Sequence, residues 1–201
     1  NAHQPSGSRY AAVAKDTKGV DMKHVDHTRA TCESCHDVKL HKNERLNNHA
    51  NRVACQTCHI PEFARGGIAT KTLWDWSTAG KRGPDGKPLF IKDDHGHLSY
   101  SAEKGDFKYG ENVRPTYKWY NGVVHQIAIT DKIDDSRILE LNRVEGSASD
   151  PNARIWPFKV HRAKQPYDAG FDYLFPPVTG GKGGYWTTFE WDSAFQLGSK
   201  A

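Results

Sequence analysis

Hydrophobic and polar positions along this 201-residue chain predict one helix before residue 61 and mostly short elements after it. Few helix breakers occur between Lys42 and Cys58, and the residues that recur there at helical spacing are Leu46, His49, Val53 and Ala54. We expect a single helix that runs into Cys58 and is ended by Pro61.

Beyond residue 80 the pattern favours turns and short strands. Gly83-Pro84-Asp85-Gly86 favours a turn, because proline pre-sets one backbone dihedral and glycine supplies a positive one. Asn121-Gly122 between the apolar stretches 117–120 and 123–124 predicts a hairpin with a two-residue turn. We also expect short strands at 88–91 and 98–100, a strand or helical turn at 138–144, and a short helix at 187–197.

Composition favours a fold with a small side-chain core. Only 36% of the residues are hydrophobic, the mean hydropathy is −0.78, and there are 18 glycines and 10 prolines. A chain of this size with so little apolar material is poorly supplied for an ordinary core. We therefore expect a fold that is mainly α, with long irregular loops and a few short β-hairpins, and with most of its helix near the cysteines.

All four cysteines lie in two copies of the pentapeptide C-x-x-C-H, which are Cys32-Glu33-Ser34-Cys35-His36 and Cys55-Gln56-Thr57-Cys58-His59. This pattern attaches c-type haem: each thiol forms a thioether with a porphyrin vinyl group, and the histidine binds the iron. The sequence therefore predicts two covalent haems around which the core is organised, with His36 and His59 as proximal iron ligands. Two such sites within residues 32–59 hold the irons close enough to exchange electrons.

Other cysteine chemistry explains less of the pattern. A structural zinc ribbon fits the spacing of the thiols but does not require a histidine after each second cysteine. A thioredoxin-like motif needs one C-x-x-C between a strand and a helix. Paired disulfides leave both histidines unexplained. The zinc ribbon stays open as the remote alternative.

Charge and hydropathy exclude two classes of partner. The net charge is +4 and the basic residues are dispersed, so nucleic acid is not indicated. No run of about 18 apolar residues is present, so no membrane span is predicted. The chain opens without a signal peptide. Since bacterial C-x-x-C-H attachment occurs outside the cytoplasm, we expect a periplasmic or extracellular protein with its export signal removed, or a piece of a longer chain.

A low-spin haem needs a second axial ligand. Methionine ligation raises the potential, but the single methionine, Met22, cannot serve two haems, so bis-histidine ligation is favoured. Among the 11 histidines, we rank His49 first because it precedes Cys55 on the predicted helix, then His24 before the first motif and His161 in an apolar strip. His27 and His41 are expected to be exposed or bound to a propionate.

Four longer stretches carry a resemblance to a known family: 53–65 (VACQTCHIPEFAR), 74–80 (WDWSTAG), 115–122 (PTYKWYNG) and 158–168 (FKVHRAKQPYD). They resemble the octahaem tetrathionate reductase family of periplasmic multihaem cytochromes, and the likeness covers most of residues 20–195. The resemblance implies a larger parent with eight haems, of which this chain holds two from the C-terminal half. It also supports His24, His49 and His161 as distal ligands.

One departure from that family limits the function expected here. The family's catalytic haem uses a C-x-x-C-K motif, and this chain contains none, so no catalytic residue is assigned. We expect 1–20 to be an N-terminal tail or connection and 21–201 a di-haem domain of a larger multihaem unit.

The expected function is electron transfer through two bis-histidine haems to other haem domains or redox cytochromes. The two haems and their partners would belong to a reductase of tetrathionate or nitrogen oxyanions, in an oligomer or a longer chain. The catalytic haem would lie outside this chain. A stand-alone di-haem carrier or nanowire-type cytochrome is the alternative.

Overall fold

The computed structural model describes residues 10–11, 30–32, 36, 39 and 41–200. Its strands are β1 (Tyr10–Ala11), β2 (Ala30–Thr31), β3 (Thr70–Asp75), β4 (Phe90–Lys92), β5 (Leu98–Ser101), β6 (Gly105–Gly110), β7 (Thr116–Tyr120), β8 (Val124–Gln126), β9 (Asn142–Val144), β10 (Arg154–Phe158), β11 (Arg162–Lys164), β12 (Tyr167–Asp168) and β13 (Tyr173–Leu174). Its α-helices are α1 (Glu44–His49), α2 (Cys55–His59), α3 (Tyr185–Thr188) and α4 (Trp191–Gly198).

The expectation of a mainly α fold is wrong. In the part of the chain that the structure describes, strands and loops predominate and the four α-helices are short. The physical reason lies in segments such as β3, β6 and β7, where aromatic and β-branched residues alternate with polar ones. That alternation has the period of a strand, and such side chains pack well on a pleated surface.

The helix expected from Lys42 into Cys58 is two helices with a break between them. Residues 50–52 turn, Val53 forms an isolated β-bridge with Ile155, and Ala54 is extended at φ −64°, ψ 145°. Val53 is β-branched and suits this extended pairing. His49 therefore ends α1 and does not share a helix with Cys55.

The described chain divides into two compact units, neither continuous in sequence. The first comprises 1–63, 114–126 and 142–159, and the second comprises 64–113, 127–141 and 160–201. Both C-x-x-C-H motifs belong to the first unit. The prediction of one di-haem domain over 21–201 stays a prediction.

In the first unit, the described strands form small β-pairs, and β10 contacts the motif helix α2. β7 pairs antiparallel with β10, β8 pairs antiparallel with β9, and β1 pairs parallel with β2. The hairpin expected at Asn121-Gly122 is wrong, because β7 does not pair with the residues that follow the turn. Instead the Asn121 N–H donates to the carbonyl of Glu145 at 2.9 Å, and its side-chain amide donates to Asp150 at 2.8 Å.

In the second unit, a five-stranded sheet has the order β11-β3-β6-β5-β4, antiparallel except for the β11–β3 pair. Among the described residues of this unit, the buried hydrophobic side chains are Tyr100, Ala102, Phe107, Tyr185 and Ala194, each at most 5% exposed. The ring of Tyr185 on α3 stacks on Trp191 of α4 with centroids 3.8 Å apart. This unit thus has a core of protein side chains, which composition did not lead us to expect.

Two short elements of the second unit agree with the sequence. The Gly86 N–H donates to the Gly83 carbonyl at 2.9 Å, which closes the expected turn. The strand expected at 98–100 is confirmed as β5. No helix in the described part of the chain has the length and apolar character needed to cross a bilayer.

Candidate haem-attachment site

The second C-x-x-C-H motif forms α2 in its entirety. Cys58 and His59 follow Cys55 by three and four residues, so the three side chains lie on one face of the helix. Cys55 is half-buried, Cys58 is an exposed free thiol, and His59 is exposed. Two thiols and an imidazole on a shared, solvent-facing side fit the covalent attachment of a haem with axial coordination by the histidine.

A single residue of β10, Ile155, holds α2 in place. Its carbonyl accepts the Ala54 N–H at 3.0 Å and the Thr57 hydroxyl at 2.7 Å, and its N–H donates to the Arg52 carbonyl at 2.8 Å. These bonds secure both the entry to the helix and its middle. The cysteine-bearing helix is therefore fixed to the body of the first unit on the side opposite its exposed residues.

Arg52 adds a second anchor just before α2. Its guanidinium donates to the carbonyls of Asp150, at 2.9 Å, and Ala148, and lies 4.6 Å from the centre of the Trp119 ring. The fork geometry of arginine suits two carbonyls at once, and the aromatic face stabilises the cation.

The first motif is described at Cys32 and His36, while Cys35 lies outside the described residues. The His36 N–H donates to the Cys32 carbonyl at 2.9 Å, a helical bond that places the imidazole one turn after the thiol. The Gln56 amide nitrogen, inside the second motif, lies 4.0 Å from Cys32 Sγ. The two attachment segments are thus in contact.

The structure describes two of the three expected distal ligands. His49 is exposed at the last position of α1, and its carbonyl accepts the N–H groups of Arg52 at 2.9 Å and Val53 at 2.8 Å. His161 belongs to the second unit, exposed just before β11, with Nδ1 3.3 Å from the Lys71 carbonyl. His24 lies outside the described residues. All three stay predictions.

Lys71, whose carbonyl lies beside His161, has its own side chain among aromatic and cationic groups. The Lys71 ammonium lies 3.8 Å from the centre of the Phe107 ring, and burial together with the nearby Lys104 lowers the pKa of Lys71. His161 thus lies beside the backbone of β3, the strand to which Lys71 belongs.

His41, which was expected to be exposed or bound to a propionate, lies beside α2. The ring centre of His41 is 6.3 Å from that of His59, with the ring planes inclined by 30°. His41 is half-buried, and the Asn47 side chain bonds to both its N–H, at 2.9 Å, and its carbonyl, at 2.8 Å. No sequence signal marks His41, because this arrangement depends on the turn into α1.

Among the described residues, no group of three or more histidine, cysteine, aspartate or glutamate side chains is gathered as a site for a metal ion alone. The sequence model of the family described as bacterial cytochrome c matches residues 71–201, which is more than half of the chain.

The chain belongs to the bacterial cytochrome c family. As a bacterial cytochrome c it binds haem c covalently and transfers electrons through the haem iron. The zinc ribbon is thereby displaced. Bacterial c-type cytochromes are typically periplasmic.

A solved structure supports the family and the expected likeness to octahaem proteins. The chain is similar to the octahaem cytochrome c from Shewanella oneidensis, with 42% sequence identity and a TM-score of 0.80. The similarity covers 95% of this chain and 41% of that one, so this cytochrome c spans less than half the length of the octahaem protein. No curated protein sequence matches the chain.

Proposed function

We propose that this cytochrome c carries two covalent, bis-histidine haems and acts as an electron relay within a periplasmic multihaem assembly. The observation that carries the proposal is the contact between the motifs, where Gln56 lies 4.0 Å from Cys32 Sγ. Groups attached to segments in contact are close neighbours, and neighbouring haems exchange electrons.

The residues that hold the haems follow from the motifs. Each haem is joined through two thiols, Cys32 and Cys35 in one case and Cys55 and Cys58 in the other, with His36 and His59 as proximal ligands. When bound, the haem iron cycles between its ferric and ferrous forms and so supplies the one-electron chemistry. The fold keeps the second attachment face rigid through Ile155 and Arg52.

The larger assembly is inferred from the octahaem relative, and its substrate class from the sequence resemblance to the octahaem tetrathionate reductase family. This chain corresponds to 41% of that relative's length, which supports a place within a larger multihaem protein or complex. Tetrathionate or a nitrogen oxyanion such as nitrite is the proposed terminal acceptor of that assembly. No C-x-x-C-K motif occurs in the sequence, so the reducing haem is proposed to lie outside it.

The test is haem content and spin state of the exported, purified chain. Because thioethers survive unfolding, the denatured protein should retain the mass of two haems, and the native spectrum should be six-coordinate and low-spin. The matched variant Cys55→Ser with Cys58→Ser should retain one haem. Bare polypeptide with zinc, a single haem in the unaltered protein, or an open-coordinate iron would contradict the proposal.

A further inference from the structure

A buried acceptor lies unsatisfied where the two attachment segments meet. Among the described residues, the amide oxygen Oε1 of Gln56 is a buried side-chain atom without a hydrogen-bond partner. An amide oxygen can accept two hydrogen bonds, and burying it with none is costly to the folded state. Such an atom in a folded protein requires a physical explanation. Its place inside the second C-x-x-C-H motif indicates a donor that belongs to the haem-bearing form.

The other end of the same amide faces the first motif. Gln56 Nε2 lies 4.0 Å from Cys32 Sγ and is oriented to donate to it. A thiol can donate its own proton to an amide oxygen, whereas the thioether formed by haem attachment has no proton and can only accept. The Gln56 side chain presents its donor group to the sulfur and its acceptor group elsewhere. This orientation suits a haem-attached Cys32.

The imidazole of the first motif lies on the same side of the chain as that sulfur. The His36 N–H donates to the Cys32 carbonyl at 2.9 Å, so one helical turn separates the two residues. Side chains four positions apart on such a turn have Cβ atoms about 5–6 Å apart. When a histidine binds a metal through one ring nitrogen, the other carries a proton and donates it to an acceptor beside the site. A buried amide oxygen next to the Cys32 sulfur is an acceptor of that kind.

We propose that Gln56 positions the haem of the first motif, although Gln56 belongs to the second. Its Oε1 accepts the Nδ1–H of iron-bound His36, and its amide N–H donates to the Cys32 thioether. The inference rests on the proposed function, since both bonds need a haem attached at Cys32. An acceptor for the ring proton makes the imidazole more basic, which favours ferric iron and lowers the reduction potential. Gln56 is a positioning residue, because it acts through His36 and Cys32.

The ring proton of His36 gives a direct test. Reduced low-spin haem is diamagnetic, so the Nδ1–H of an isotope-labelled imidazole can be followed by NMR in the intact haem protein. In the unaltered protein this proton should exchange slowly with solvent and show a through-space contact to Gln56. In Gln56→Leu, which removes the acceptor, the proton should lose its protection, and the reduction potential of the first-motif haem should rise. The potential of the second-motif haem should change less.

Thr57→Val is the matched control. Thr57 is the other spacer residue of the same motif, and its hydroxyl bonds to Ile155 on β10. This variant should leave the protection of the His36 ring proton and both reduction potentials unchanged.

A second variant covers the case in which Gln56→Leu does not mature. The carboxylate of Gln56→Glu keeps an acceptor at the same reach, so the His36 ring proton should stay protected. Its negative charge should lower the reduction potential of the first-motif haem. Loss of protection in Gln56→Glu would contradict the proposed bond.

The outcomes separate this inference from the proposed function. An unaltered protein without two low-spin haems would overturn the relay and this inference together. Two low-spin haems, with a His36 ring proton that exchanges at the same rate in the unaltered protein and in Gln56→Leu, would overturn only the role of Gln56. A potential shift confined to the second-motif haem would do the same.

Discussion

The hydroxyl of Thr57 donates to the carbonyl oxygen of Ile155 across a distance of 2.7 Å, although the two residues are 98 positions apart in sequence. Thr57 is one of the two spacer residues of the second C-x-x-C-H motif, which attachment chemistry leaves unconstrained. Its side chain instead ties the motif helix to β10.

Replacing Thr57 with valine should lower stability without removing haem. One partly buried hydrogen bond contributes about 1 kcal/mol, while the Ile155 carbonyl keeps the bond from Ala54. We expect the melting temperature of the haem protein to fall by about 2–4 °C, the shift expected for a chain of this length, with two haems still present by mass. Thr187→Val, which removes an exposed bond to the Gly181 carbonyl, should cause a smaller shift. If both variants lower the melting temperature equally, the Thr57 bond contributes no more to stability than an exposed hydrogen bond.

Gly105→Ala should be among the most damaging substitutions in the second unit. Gly105 has φ +83°, and an added Cβ would lie 1.9 Å from the Asp75 carbonyl oxygen and 2.9 Å from Thr78 Oγ1. Left-handed strain and overpacking against the backbone together cost roughly 3 kcal/mol or more. Denaturant titration of the haem protein measures the loss.

Gly86→Ala is the matched control for this substitution. Gly86 also has a positive φ, +75°, but a Cβ there meets nothing within 4 Å. Only the left-handed strain of about 1–2 kcal/mol applies. Equal losses in the two variants would show that the close approach of Gly105 to Asp75 does not matter.

The second unit should lose stability at alkaline pH because of Tyr185. Burial raises the pKa of Tyr185 from 10.0 to about 12, and the nearby Tyr100 and Glu190 add to the effect. Below pH 10 the phenol is neutral in both folded and unfolded chains. Between pH 10 and 12 the unfolded chain loses the proton first, so stability falls as pH rises.

Denaturant midpoints across this pH range test the Tyr185 prediction. Tyr185→Phe should flatten the decline, since phenylalanine keeps the ring that stacks on Trp191 and has no ionisable group. A decline of the same slope in Tyr185→Phe would assign the alkaline loss to other groups.

The isolated chain should exchange electrons with a small redox mediator but should not turn over tetrathionate or nitrite at a useful rate. Substrate reduction needs an iron with an exchangeable ligand, and both irons here are proposed to have two protein ligands. Mediator oxidation followed optically, alongside a substrate-reduction assay, distinguishes the two activities. Sustained turnover by this chain without another haem subunit would show that one of its haems is catalytic.

Sequence predicted the chemistry of the site better than its architecture. The spacing of Cys55, Cys58 and His59 predicts their shared helical face, because attachment is encoded within five consecutive residues. β7 pairs with β10, which is distant in the sequence. The turn preference of Asn121-Gly122 therefore indicated the wrong partner strand, because Asn121 forms hydrogen bonds with Glu145 and Asp150 instead. The position of His41 beside His59 was not predicted, because it depends on side-chain hydrogen bonds from Asn47 in α1.

The long sequence separation between α2 and Ile155 has a consequence for maturation. In a chain delivered N-terminus first, Cys55 and Cys58 emerge about a hundred residues before the strand against which their helix docks. The docking of α2 must wait for β10, whereas the thiols are available to attachment enzymes throughout that interval. Chain order thus provides an interval in which haem can be attached to Cys55 and Cys58 before α2 docks on β10.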